Sequence, residues 1–230
     1  MTGQELKQAR ERAQRTQVEA ARELGVSQTY LSMLENNKRG APDDLSRKAA
    51  RLFNVRPENV PLQEEFWNKR PFDNAGLAAE LSALNYPYLS YHRLGKVENP
   101  VEVILGALKA TDLERRLVEG LPWVLCKFDN LDWKALFMGV KVNDAQNRLG
   151  FLLNVAWRVA QRGKNNKVSA RLKAKEVELE SSRLAMEDTL CQNSMTRAER
   201  NWLTVNRPKE AEKWGLLTDL SPNSLNYHDL

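Results

Sequence analysis

A reactive or metal-holding centre in this chain would have to be built from its two histidines, His92 and His228, its two cysteines, Cys126 and Cys191, and its carboxylates. The histidines fall in stretches without helical pattern, and the cysteines lack the close spacing by which thiolates and imidazoles surround zinc. The carboxylate pairs Asp43 with Asp44 and Glu64 with Glu65 are adjacent, and side chains one position apart do not share a helix face. They read as a capped helix start and an exposed turn. The sequence contains no G-x-x-x-x-G-K-[ST] loop, G-x-G-x-x-G turn or G-x-S-x-G elbow, which removes the usual supports for nucleotide binding and serine hydrolysis. The expectation is a protein that is not an enzyme, with no metal and no cofactor. The candidates for function are then hydrogen-bonding side chains within the first sixty or so residues.

Those side chains need helices to position them. Leu6, Ala9 and Ala13 recur at helical spacing, and Thr2 with Glu5 three positions on makes a capping-box pattern, so a first helix is expected over Thr2 to Ala13. Thr16 and Glu19 repeat the box and open a second, short helix through Ala20, Ala21 and Leu24 to Gly25, a residue suited to a left-handed turn. Ser27 then caps a third helix that turns Tyr30, Leu31 and Leu34 inward and leaves Gln28, Thr29, Ser32 and Met33 outward. Asn36 to Pro42 reads as a turn, and Asp43 to Asn54 as a further packing helix with Leu45, Ala49, Ala50, Leu52 and Phe53.

The run Thr16-Gln17-Val18-Glu19-Ala20-Ala21-Arg22-Glu23-Leu24-Gly25-Val26-Ser27-Gln28-Thr29-Tyr30-Leu31-Ser32-Met33-Leu34-Glu35-Asn36-Asn37-Lys38-Arg39 resembles the XRE-type family of phage repressors and Cro proteins. Small Ala21 lets two helices cross closely, Gly25 makes the tight turn, and Val26 and Leu31 anchor the second helix of the pair. Ala20 departs from the larger aliphatic residue usual there, and Asn37 from a common glycine, though asparagine also tolerates a left-handed backbone. The resemblance implies that the helix opened by Ser27 enters the major groove of double-stranded DNA. It assigns base contacts to Gln28, Thr29, Ser32 and Met33. Gln28 can bond adenine N6 and N7, while Thr29 and Met33 can lie against a thymine methyl. It assigns phosphate contacts to Gln17, Asn36, Lys38 and Arg39, which fix register without reading sequence. Arg10 and Glu35 match positions that pair in related repressors and would tie the first helix to the end of the third.

Beyond this stretch the pattern supports an all-α chain: a lambda-repressor-like helix-turn-helix domain over residues 1–61, an irregular connector over 62–99, an all-helical dimerisation, partner or sensing domain over 100–205, and a flexible tail over 206–230. The connector holds a short helix at Ala75 to Leu84 and the aromatic group Tyr86, Tyr88, Tyr91 and His92, read as packing or as a ligand pocket. Helices are expected over Pro100 to Ala110, Asp112 to Gly120, Pro122 to Phe128, Asp132 to Lys141, Asp144 to Arg162, Lys167 to Leu190 and Thr196 to Val205. Gln146, Asn147, Arg148 and Asn154 sit among apolar residues; the sequence leaves open whether they satisfy one another inside the domain or meet a partner. Trp202, Trp214 and Tyr227 look exposed in the tail.

With 42% hydrophobic residues in 230, the chain can bury a real core. Its formal charge of +5 fits a polyanionic partner. Residues 61–160 balance acids and bases and are the least suited to face DNA. The acid-free run with Arg162, Lys164, Lys167, Arg171, Lys173 and Lys175 reads as a solvated helix face or as a contact to flanking DNA. No apolar segment reaches the roughly 18 to 20 residues of a membrane span, and cysteine use with no leader pattern suggests a reducing cytoplasm. Two functions fit. One is a sequence-specific transcription regulator, a homodimeric repressor reading an inverted repeat. The other is an autoregulating antitoxin or defence-operon protein whose C-terminal part grips a partner toxin through its exposed aromatic residues.

Overall fold

The computed structural model describes residues 1–89 and 98–227, and its first helices start where the local signals place them. Thr2 Oγ1 accepts from the Glu5 N–H (3.3 Å) and Glu5 Oε2 from the Thr2 N–H (2.7 Å), which opens α1, Gly3–Arg12. Thr16 and Glu19 repeat the reciprocal bonds and open α2, Gln17–Leu24, which ends at Gly25 with φ +76°. Ser27 caps α3, Gln28–Glu35, by accepting from the Tyr30 N–H at 3.1 Å. The chain turns through Asn37 at φ +54° into α4, Asp43–Leu52. Leu6, Ala20, Ala21, Leu24, Leu31, Leu34, Ala49 and Phe53 close a core between the four helices. Residues 1–64 and 98–99 belong to one compact unit, in which Asn99 Nδ2 donates to the Val60 carbonyl at 2.7 Å.

The second unit takes the rest of the described chain. Its helices are α5 (Asn74–Ala83), α6 (Pro100–Leu108), α7 (Arg115–Val118), α8 (Gly120–Lys127), α9 (Trp133–Val142), α10 (Gln146–Arg162), α11 (Asn166–Glu180), α12 (Arg197–Asn206) and α13 (Lys209–Lys213). Every residue of α6 is buried, with α5, α8 and α9 packed around it. The long α10 runs beside α11 and also meets α8, α9 and α13. Two short parallel strands, β1 (Asp188–Thr189) and β2 (Leu216–Leu217), pair Asp188 with Leu216 and Thr189 with Leu217.

The polar residues of α10 face other segments of the same unit. Arg148 donates from Nε and Nη2 to the two Asp188 oxygens (2.7 and 2.9 Å) and from Nη1 to the Leu108 carbonyl (2.6 Å), which ties α10 to β1 and to the end of α6. Asn147 donates to the Leu184 carbonyl and accepts from the Leu184 N–H. Glu176 on α11, only 3% exposed, accepts from Asn154 Nδ2 (2.9 Å), Trp157 Nε1 (2.6 Å), Lys213 Nζ (3.0 Å) and Trp214 Nε1 (3.2 Å). Burial pushes its pKa up, but these hydrogen bonds outweigh that and hold it below the usual carboxylate value.

Four expectations change. The helix expected from Lys167 to Leu190 stops at Glu180, because Asn147 captures the Leu184 backbone and Asp188 enters a strand whose partner lies far along the chain. The connector is not irregular throughout: Asp73 caps α5, and Phe66, Leu77, Leu81, Leu84, Tyr86 and Leu89 are buried in the second unit. The segment 206–227 is not loose but supplies α13, β2 and the fully buried Trp214, whose ring fills the space that a side chain at Gly150 of α10 would need. The tail aromatics divide accordingly, since Trp202 is exposed while the Tyr227 hydroxyl donates to the Glu119 carbonyl. Tyr86 meets Tyr88 edge to face and lies tilted against Trp123, at centroid distances of 5.4 and 5.3 Å; Tyr91, His92 and His228 lie outside the described residues.

Candidate nucleic-acid interface

The first unit is organised around one buried ion pair. Arg10 on α1 and Glu35, the last residue of α3, are 8% and 4% exposed. The guanidinium meets the carboxylate with two parallel bonds, Nε to Oε1 at 2.6 Å and Nη2 to Oε2 at 3.0 Å, and its Nη1 donates to the Arg15 carbonyl at 2.9 Å. Paired forks of this kind are stronger and more directional than single contacts. Burial raises the Glu35 pKa, yet the bonds from Arg10 and Gln17 more than offset it and leave the carboxyl below its ordinary value. One side chain thus fixes the angle of α3 against α1 and the turn before α2.

Two further contacts that sequence reasoning missed fix the helices of this unit. Gly3 donates its N–H to Asn37 Oδ1 at 2.8 Å, and a Cβ at Gly3 would stand 1.9 Å from the Leu34 carbonyl oxygen, so the start of α1 abuts the end of α3 closely enough to require glycine. Lys48 on α4 donates from Nζ to the Leu24 carbonyl at 2.9 Å and closes the end of α2. The first has a signal in retrospect, a glycine directly after a helix cap where helix formers are the rule. The second has none, because its partners lie on different helices.

Against this frame the outward side of α3 is free. Gln28 and Thr29 are exposed at the first turn, Met33 is 39% exposed one turn on, and Ser32 is half-buried between them. Among the described residues, neither Gln28 nor Thr29 makes a side-chain hydrogen bond. The residues expected at phosphates divide. Lys38 and Arg39 are exposed in the turn after α3, the Arg39 guanidinium standing 5.8 Å from the Tyr30 ring centre. Asn36 is exposed but donates to the Ser32 carbonyl at 2.7 Å and so caps its own helix. Gln17 is half-buried, its amide donating to Glu35 Oε2 at 2.9 Å. That bond joins the start of α2 to the end of α3.

Two short helices joined by a tight glycine turn, the second carrying a free polar side, form an arrangement found in proteins that enter a DNA groove. Residues 6–59 match the helix-turn-helix family. The chain begins with an XRE-type helix-turn-helix domain. Neither the curated proteins nor the solved structures contain a match to the chain. The helix-turn-helix domain makes DNA the partner of the first unit and transcription regulation its setting; α2 and α3 are its two defining helices.

Outside the helix-turn-helix domain, most of the basic run is engaged within the second unit. Arg162 donates to the Pro222 and Leu225 carbonyls, Arg171 to Asp129 and the Leu125 carbonyl, and Lys175 to Glu178 at 2.7 Å, while Lys173 stands over the Trp157 ring. Lys164 and Lys167 are exposed. Cys126 and Cys191 are buried free thiols, and burial pushes them up to about 12 and about 11. Among the described residues no three histidine, cysteine or acidic side chains group as metal ligands, and no helix is long and apolar enough to cross a membrane.

Proposed function

We propose that this protein is a sequence-specific transcription regulator, a homodimeric repressor that reads an inverted repeat by laying α3 in the major groove. The observation that carries the reading is the division of α3: Leu31, Leu34 and Glu35 are locked into the fold, while Gln28, Thr29 and Met33 stand together on the solvent side. Gln28 fits adenine through two hydrogen bonds, and Thr29 and Met33 offer apolar contact to a thymine methyl, with Ser32 beside them. Lys38 and Arg39 hold phosphates. Asn36 and Gln17 are assigned there too, Gln17 through the amide hydrogen that its bond to Glu35 leaves free and Asn36 by giving up its contacts to Ser32. A dimer is expected because one recognition helix spans too few base pairs for a specific site, and two-fold symmetry places half-sites about 34 Å apart.

Footprinting of the purified protein on its own promoter region tests this. Protection of an inverted repeat is the expected result; salt-sensitive coating without sequence preference would refute it. The antitoxin reading rests on the long C-terminal part and on three aromatic residues expected to be exposed there, of which Trp214 is fully buried, Tyr227 is hydrogen-bonded and Trp202 is exposed. The repressor is therefore the reading we retain.

A further inference from the structure

Within the second unit, α7, the stretch from Leu190 to Met195, α12 and the residues after β2 surround a half-open cavity of about 540 Å³. That is within the size range of sites for small organic ligands. Its floor is apolar, formed by Leu113, Val118, Leu190, Leu203 and Leu220, and Trp202 stands at its mouth. The indole is 57% exposed, although α12 otherwise turns only Leu203 into the core. A large aromatic left in water beside an apolar hollow is poorly placed for folding and well placed to cover a guest.

The polar rim selects the charge of that guest. Arg115 is the one cation lining the cavity among the described residues, and it is already bound on two sides, to Glu119 Oε1 at 3.0 Å and to Asp219 Oδ2 at 2.7 Å. Glu199 is different. Its Oε2 accepts from the Thr196 N–H and hydroxyl (2.7 and 2.8 Å), while its Oε1 makes no bond to a described residue. Those bonds hold the carboxyl below its usual pKa, so it is ionised near neutrality. The rim therefore presents a carboxylate oxygen without a cation, next to an aromatic face that also attracts positive charge.

We propose that this cavity binds a small amphipathic amine, its apolar ring body on the leucine floor beneath Trp202 and its ammonium group against Glu199 Oε1. The assignment is independent of whether the first unit reads an operator. The test is a titration of the full chain with 2-phenylethylamine, with the neutral 2-phenylethanol and the anionic 3-phenylpropanoate as controls. It is followed through the indole N–H resonance of Trp202, assigned with Trp202→Phe. The amine should move that resonance and bind more tightly than either control. Glu199→Gln preserves the capping box, in which glutamine also serves, and should reduce amine affinity about two- to fivefold, the range of an exposed ion pair, to that of the alcohol. Ala198→Phe, which fills the mouth, should abolish binding of the amine. The proposal is overturned if the amine leaves the Trp202 resonance unmoved, if all three compounds bind alike, or if Glu199→Gln leaves amine affinity unchanged.

Discussion

Gln28 and Thr29 differ from Glu35 in what their loss should do, although all three lie on the same eight-residue helix. Replacing Gln28 and Thr29 with alanine should leave thermal stability nearly unchanged and relax sequence preference, by about 1–3 kcal/mol for each base contact removed, read from competition binding against scrambled sites. Arg39→Ala should weaken binding to every site alike and lower the salt slope by about one unit. Glu35→Ala should act on folding, because it leaves the buried Arg10 guanidinium without its partner; a loss of about 3–5 kcal/mol in denaturant unfolding is expected. The same carboxylate gives a pH signature. Its folded pKa lies below the unfolded one, so the unfolded chain binds more protons through that window. Its contribution to stability is complete above the unfolded carboxylate value, about 4.3, and is lost as pH falls through the lower folded value. Unfolding of the wild type and of Glu35→Gln, followed from pH 7 to pH 3, should converge at the acid end.

At the scale of elements, three of the helices begin with a reciprocal Thr and Glu box, at Thr2, Thr16 and Thr196. Thr16→Ala should cost about 1 kcal/mol, and Gly3→Ala, forced against the Leu34 carbonyl, about 1–3 kcal/mol, both measurable by thermal melting. These boxes were readable because their partners stand three residues apart, and the same holds for the left-handed turn at Gly25 and the inward and outward sides of α3. What stayed hidden depends on distant pairs. Nothing near Glu180 announces that α11 ends there, since the reason lies in Asn147 and in a strand partner at Leu216. Gln17 was assigned to phosphate because its position on α2 is legible, whereas its bond to Glu35 crosses between helices. The segment after Pro208, polar and rich in turn residues, gave no local sign that Trp214 would be held by Glu176 and seated on Gly150.

At the scale of the molecule, the second unit is closed by that late segment. Deleting residues 206–230 would strip Glu176 of two of its four donors and open the cavity filled by Trp214. The truncated chain should lose cooperative unfolding of the second unit while the first still melts as a unit, a difference visible by hydrogen exchange. Trp214→Ala alone should cost about 3–5 kcal/mol. The first unit distributes its bonds in another way. Its scaffold contacts run through Arg10, Gln17, Glu35 and Gly3, and none of them passes through Gln28 or Thr29. Those two positions are thus free variables: exchanging them among polar residues should alter what is bound while folding proceeds as before. A lineage carrying this domain can acquire a new target in single steps, with no unfolded intermediate to cross on the way.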